Sequence, residues 1–279
     1  MSEPLCEVLA WDSEFFGCRI GRIIPLEAPI EAKGGRLDPG LLAEVDAWCR
    51  AEAIDCLYFL ADSGDPATAA VAEAGGFRLV DLRVTLEGPL TPDPSPIPSR
   101  PPGEGRPLTR PFRPEDLSEL RRIAAVSHHD SRFYADPHFD RARCDELYAT
   151  WIEKSCRGEA ADTVLVAEHN GRPAGYISCI LVPPSPGRGE GMGEGRQGGE
   201  GHGEIGLIAV AAEAWGRGLG KALVRASLDW FVDQGLPRAR VVTQGRNVRA
   251  QRLYQAHGLF TRSIGLWFHR WADRGREIP

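Results

Sequence analysis

Residues 204–224, EIGLIAVAAEAWGRGLGKALV, decide the reading of this sequence. Glu204–Val210 is an apolar, β-branched run that reads as a strand. It leads into Trp215-Gly216-Arg217-Gly218-Leu219-Gly220, after which Leu219, Leu223, Ala226 and Trp230 fall along one side of a helix. Glycines just before a helix let backbone N–H groups approach an anion, and the helix dipole favours negative charge there. The stretch is therefore either a phosphate cradle or a structural turn. Spacing narrows the ligands. The nucleoside-triphosphate loop G-x-x-x-x-G-K-[ST] matches Gly220-Lys221 but fails at Trp215 and Ala222. The dinucleotide fingerprint G-x-G-x-x-G matches Gly216 and Gly218 but meets Lys221 at its third glycine. Both fail at residues that their chemistry needs.

Downstream, Arg240–Gln244 is a second β-rich run, Asn247 is placed to cap a helix, and Ala250, Leu253 and Tyr254 share that helix's inner face. Gly258 stops it, and Phe260–Trp271 returns as a strand. The same unit occurs near the start. Leu41, Leu42, Val45, Trp48 and Cys49 have helical spacing, Ile54–Leu60 reads as a buried strand, Asp65-Pro66 starts a helix, Gly75-Gly76 ends it, and Phe77–Leu86 is a strand. Two strand–helix–Gly–strand units suggest that the first segment is a degenerate copy of the second. Between them, Pro114–Ala125 and Ala142–Ser155 read as helices, and Thr163–Glu168 with Gly175–Val182 as a hairpin turning at Asn170-Gly171. This order predicts a mixed α/β (α+β) sheet.

Two stretches stand outside the pattern: proline-rich 91–106, TPDPSPIPSRPPGEGR, and glycine-rich 183–203, PPSPGRGEGMGEGRQGGEGHG. Neither carries enough apolar residues to offset the entropy of ordering, so both read as disordered inserts in surface loops. They share a frame. Pro94-Ser95-Pro96 precedes Gly103-Glu104-Gly105-Arg106 by the same spacing as Pro184-Ser185-Pro186 precedes Gly193-Glu194-Gly195-Arg196, as if one repetitive element had been inserted twice. The inserts divide the chain into 1–90 and 107–279, the second interrupted at 183–203. If Gly175–Val182 and Glu204–Val210 are adjacent, the second insert lengthens a hairpin tip, where each doubling costs only about 0.6 kcal/mol.

Composition restricts the functional classes. Among 279 residues, 42% are hydrophobic, yet no apolar run is long enough for a transmembrane helix and the N-terminus does not have the form of a secretory signal. The seven cysteines are scattered without a C-x-x-C pair, which fits reduced thiols in a cytoplasmic protein and implies no metal site. A net charge of −6 with no basic stripe argues against nucleic acid as a partner. His128-His129-Asp130 suggests a metal cluster on paper, but adjacent histidines point apart on either a strand or a helix, so a polar loop is expected.

Ile208-Ala209-Val210 with Trp215-x-x-Gly218-x-Gly220 resembles the acetyl-CoA pyrophosphate motif of the GNAT superfamily, [QR]-x-x-G-x-[GA]. Asn247-x-x-Ala250-x-x-Leu253-Tyr254-x-x-x-Gly258 resembles its second cofactor motif, in the expected order. Trp215 departs from the family's Gln or Arg. Leu9-Ala10-Trp11-Asp12-Ser13-x-Phe15-Phe16-Gly17 and Ser131-Arg132-Phe133-Tyr134-x-Asp136-Pro137 resemble two-part GNAT proteins with a truncated GNAT-like N-terminal half, which acetylate an amino sugar carried on a nucleotide.

The resemblance implies acetyl-CoA as co-substrate and a small-molecule amine as acceptor. It implies that Ile208, Val210, Trp215, Gly216, Arg217, Gly218, Leu219, Gly220 and Asn247 surround the cofactor, with the Val210 N–H polarising the acetyl carbonyl. It makes Tyr254 the general acid, the other reading being a residue packed on its helix. Glu204 is a catalytic carboxylate or a solvated strand-end charge. Arg132 and Tyr134 line the acceptor pocket, where a guanidinium suits a diphosphate. The alternatives are a different small amine, an amino acid or a protein N-terminus as acceptor, or a module that binds acyl-CoA without catalysis. The aromatic strand Leu266–Trp271 serves either a homodimer contact or a strand buried in its own chain.

Overall fold

The computed structural model describes residues 4–24, 35–90, 108–184 and 200–272, so most of both expected inserts lies outside the described residues. The first segment runs β1 (Cys6–Val8), α1 (Ala10–Phe16), β2 (Ile20–Ile23), α2 (Pro39–Ala51), β3 (Cys56–Asp62), α3 (Pro66–Ala74) and β4 (Arg78–Pro89). The second runs β5 (Leu108–Pro111), α4 (Leu117–Ala125), α5 (Arg132–Ala135), α6 (Arg141–Cys156), β6 (Thr163–His169), β7 (Arg172–Val182) and β8 (His202–Val210). It ends with α7 (Leu219–Asp233), β9 (Arg238–Gln244), α8 (Val248–Gln255) and β10 (Phe260–Trp271).

Local chemistry sets these boundaries where the sequence marks them. Asp38 and Asp65 accept N–H groups of the first turns of α2 and α3, each followed by proline at the start of the helix. Asn170 and Gly171 have φ of 52° and 73°, the two left-handed residues that a tight hairpin needs. β7 and β8 then pair down to Val182 opposite His202, so residues 183–201 do join two adjacent strands. One difference is the buried stripe of α7. It runs Leu219, Leu223, Val224, Ser227 and Phe231, with the expected Ala226 and Trp230 on its flank. Gly203 explains the rotation: a Cβ there would lie 2.3 Å from the Phe231 ring, so only glycine admits that ring against β8.

The ten strands form one mixed sheet in the order β1-β2-β3-β10-β4-β9-β8-β7-β6-β5. The two segments exchange their last strands. β10 of the second lies between β3 and β4 of the first, while β4 lies between β10 and β9. The aromatic final strand is thus central in its own sheet. Its Phe268 packs in one core with Phe59 and Phe77, while Phe16, Phe133 and Phe139 join α1, α5 and the start of α6 in the other.

Candidate active site

β8 and β9 are parallel but stay paired only over Gly203–Ala239, Glu204–Arg240 and Ile205–Val241. Beyond Ile205 a bulge interrupts β8, and the Ser178 hydroxyl accepts the Leu207 N–H at 2.7 Å. β8 then stays with β7, Ile208 opposite Ile177 and Val210 opposite Gly175, while its pairing to β9 has ended. The Ala211 N–H bonds the Ala174 carbonyl at 2.8 Å, which fixes the alternation of this stretch. The peptide groups of Ile208 and Val210 consequently face away from β7, into the gap. In the first segment the corresponding gap between β2 and β3 is filled by the chain itself. After Arg22–Tyr58, Gly35 bridges Ala61 and donates its N–H to the Leu60 carbonyl at 2.7 Å.

The open gap leads to the glycine loop. Gly216 and Gly218 have φ of 77° and 81°, which a side chain would resist, and Gly218 caps α7 without any side-chain acceptor. The first helical bond runs from the Ala222 N–H to the Gly218 carbonyl, leaving the N–H groups of Leu219, Gly220 and Lys221 directed outward from the helix start. The arrangement suits a phosphate, and the slot beside it suits an extended amide chain. Trp215 stands at the rim, its indole N–H donating to the Val210 carbonyl at 2.7 Å and the Arg249 guanidinium 4.4 Å above its ring.

On the other lip, the Asn247 side chain accepts the Ala250 N–H at 3.0 Å, the cap that the sequence marks for α8. Tyr254 lies on the inner face of α8, 2% exposed, and burial pushes its pKa up. Glu204 sits at the closed vertex, paired opposite Arg240 and 3.9 Å from His202.

A second cluster lies beyond the end of β9. The Gly245 N–H donates to the Leu82 carbonyl and Arg246 to the Val80 carbonyl, both at 2.7 Å, which places Asp81 of β4 beside the turn that enters α8. Asp81 is 5% exposed. Burial pushes its pKa up to about 6, with the Leu82 N–H, Arg246 and Arg132 pulling the other way. The sequence offers only a weak sign of it, a lone acid inside an apolar strand. Arg132 reaches the same region, its guanidinium 4.0 Å from the Trp267 ring and 4.6 Å from both Tyr58 and Phe133. Its Nε and the Tyr58 hydroxyl are buried without a hydrogen-bond partner among the described residues. The Tyr134 hydroxyl donates to Asp145, and its ring packs on His129 and Tyr148.

His128 and His129 take different partners, His129 packing edge-on against the Tyr134 ring. His128 Nε2 meets the Tyr176 hydroxyl at 2.9 Å, and burial holds its pKa down to about 4. Among the described residues, no group of three or more His, Cys, Asp or Glu side chains is placed to hold a metal, and no helix is long and apolar enough to cross a membrane.

Residues 123–259, which span the gap, the glycine loop and α8, match the Acetyltransferase (GNAT) family. The chain is 27% identical over 266 residues, 95% of its length and 97% of the relative's, to dTDP-fucosamine acetyltransferase of Escherichia coli O6:H1. It is 26% identical to the Spore coat polysaccharide biosynthesis protein SpsD of Bacillus subtilis over 59% of this chain and 50% of that one. A GCN5-related N-acetyltransferase from Sphaerobacter thermophilus superposes with a TM-score of 0.58 at 16% identity, covering 95% of this chain and 76% of that one. The fold is the GNAT fold.

Proposed function

We propose that this chain, an acetyltransferase whose residues 123–259 are a GNAT domain, uses acetyl-CoA to acetylate a primary amine on a nucleotide-linked sugar. The observation that carries the cofactor assignment is the β8–β9 gap, with peptide groups of Ile208 and Val210 facing into it and, at its mouth, a glycine-capped helix whose start has no side-chain acceptor. Acetyl-CoA supplies an activated acetyl thioester. The first-turn N–H groups of α7 hold its phosphates, and the gap takes its amide arm as an added strand. The N–H groups of Ile208 and Val210 are the donors for the acetyl oxygen, and one such donor is worth roughly 10²–10³ in rate.

Two titratable side chains complete the proton balance. The new bond joins the amine nitrogen to the acetyl carbon while the carbon–sulfur bond breaks. Tyr254, kept protonated by burial, gives its proton to the departing sulfur. Asp81, its pKa pushed up to about 6 by burial, takes the proton that the amine must lose. Glu204, in β8 itself, is the other candidate carboxylate, held at the vertex rather than in the open part of the gap. Arg132 and Tyr134 line the acceptor side.

The amino-sugar acceptor is supported by the near-full-length similarity to an enzyme named for acetylating dTDP-fucosamine. Titration calorimetry with acetyl-CoA, followed by thiol detection of released CoA with nucleotide amino sugars, tests both parts. Micromolar binding of acetyl-CoA but not NADH, and thiol release with an amino-sugar nucleotide above simple amines, is the expected result. Folded protein that binds no acetyl-CoA would overturn the cofactor assignment; equal turnover of simple amines would overturn the acceptor.

A further inference from the structure

Trp215 is the residue at which this loop departs from its motif, and the structure shows what its side chain does. The Val210 carbonyl faces the β8–β9 gap, because the neighbouring Ala211 is bonded to β7 on the opposite side. A chain entering the gap as an added strand would need that carbonyl as an acceptor for one of its amide N–H groups. The Trp215 indole N–H already occupies it, at 2.7 Å. The ring is fixed from the other lip. Arg249, in the first turn of α8, stacks its guanidinium 4.4 Å from the indole centre, so a contact closes across the mouth from the β8–α7 loop to α8. Leu253, one turn further along α8, approaches the Gly220 position within 3.4 Å of an added Cβ, so Arg249 rides beside the start of α7. Trp215 is 55% exposed, and among the described residues Arg249 has no carboxylate partner. Neither side chain is held by the core.

We propose that Trp215 is a placeholder for the cofactor's amide arm: its indole N–H holds the gap-facing carbonyl of Val210 until an acyl-CoA takes the position, and Arg249 is the residue that keeps it there. The inference rests on the acetyl-CoA reading of the gap. Cofactor entry then exchanges one hydrogen bond for another instead of gaining one. Trp215 lowers affinity below what the same slot would show with the carbonyl free, and Arg249 acts only through Trp215.

Calorimetric titration of the full chain with coenzyme A separates the possibilities. Trp215→Phe keeps an aromatic ring under Arg249 and removes only the donor. Its Kd for coenzyme A should be about two- to tenfold lower than that of the unaltered chain, the worth of one neutral hydrogen bond. Arg249→Ala should shift the Kd the same way by less, and should add nothing in the Trp215→Phe background. An unchanged or weaker Kd for Trp215→Phe would overturn the proposal. So would an Arg249→Ala variant that binds more weakly in both backgrounds, since Arg249 would then be gripping a phosphate directly. If folded protein of every variant fails to bind coenzyme A, the cofactor reading falls and this inference with it.

Discussion

Removing the Asp136 carboxylate should loosen the joint between the α5–α6 loop and the final strand. Asp136 is 3% exposed and accepts four hydrogen bonds. One oxygen takes His269 Nδ1 at 2.7 Å and Trp271 Nε1 at 2.9 Å from β10; the other takes His138 Nδ1 at 2.8 Å and the His138 N–H at 3.1 Å. Burial pushes the Asp136 pKa up, but these donors outweigh it and hold the carboxyl well below the ordinary carboxylate range. His269 is 1% exposed; burial holds its pKa down to about 4 against the pull of Asp136. It is therefore neutral near pH 7, donating from Nδ1. Asp136→Ala strands the buried His269 N–H, worth about 1–3 kcal/mol, takes the acceptor from the half-buried Trp271 N–H, and leaves a cavity besides. A loss of about 2–4 kcal/mol is expected. Asp136→Asn retains one acceptor oxygen for β10 and should lose only about 1–2 kcal/mol. Pairing Asp136→Ala with His269→Phe removes one stranded donor, so the double variant should lose less than the two single losses together. Urea unfolding at pH 7.5 reads the unaltered chain, the three single variants and the double variant. A loss below about 1 kcal/mol for Asp136→Ala would mean that water satisfies those donors, and the account of a buried joint would be refuted.

Two predictions concern the chemistry. Tyr254→Phe should lower kcat by about 10²–10⁴, the usual worth of a general acid, with unchanged acetyl-CoA affinity and unfolding midpoint, because burial alone, and no hydrogen bond, shifts its hydroxyl; an unchanged kcat would return Tyr254 to a packing role. Asp81 works as a base only when ionised, so kcat/KM should rise with pH through about 6 and level above it. Asp81→Asn should flatten that limb of the profile, and a limb that persists in the variant would assign it to another group.

The elements that were legible in the sequence are those whose ends carry their own chemistry. Asp65-Pro66, Asn170-Gly171 and Asn247 each satisfy or pre-set backbone groups within a few residues, and the structure begins or turns its elements there. β1, α1 and β2 escaped because they are short and, apart from the Gly17 stop of α1, carry few such signals. The backbone of the glycine loop was legible for a related reason: Gly216 and Gly218 set its left-handed turns, so one contiguous stretch holds the geometry. The acceptor side is different in kind. Tyr58, Asp81, Arg246 and Trp267 lie far apart in the chain with no spacing that marks them, and only Arg132 falls in a motif, Ser131–Pro137. What brings them together is the exchange of β4 and β10 between the segments. Strand pairing of that sort depends on which apolar faces meet across the whole sheet, not on any local run of residues. On the proposed reading, the first segment, whose own gap is closed by Gly35, supplies the acceptor side with Asp81 and Tyr58 while the second supplies the cofactor slot. On this division of labour, substitutions in β4 should alter the choice of amine without changing acetyl-CoA affinity.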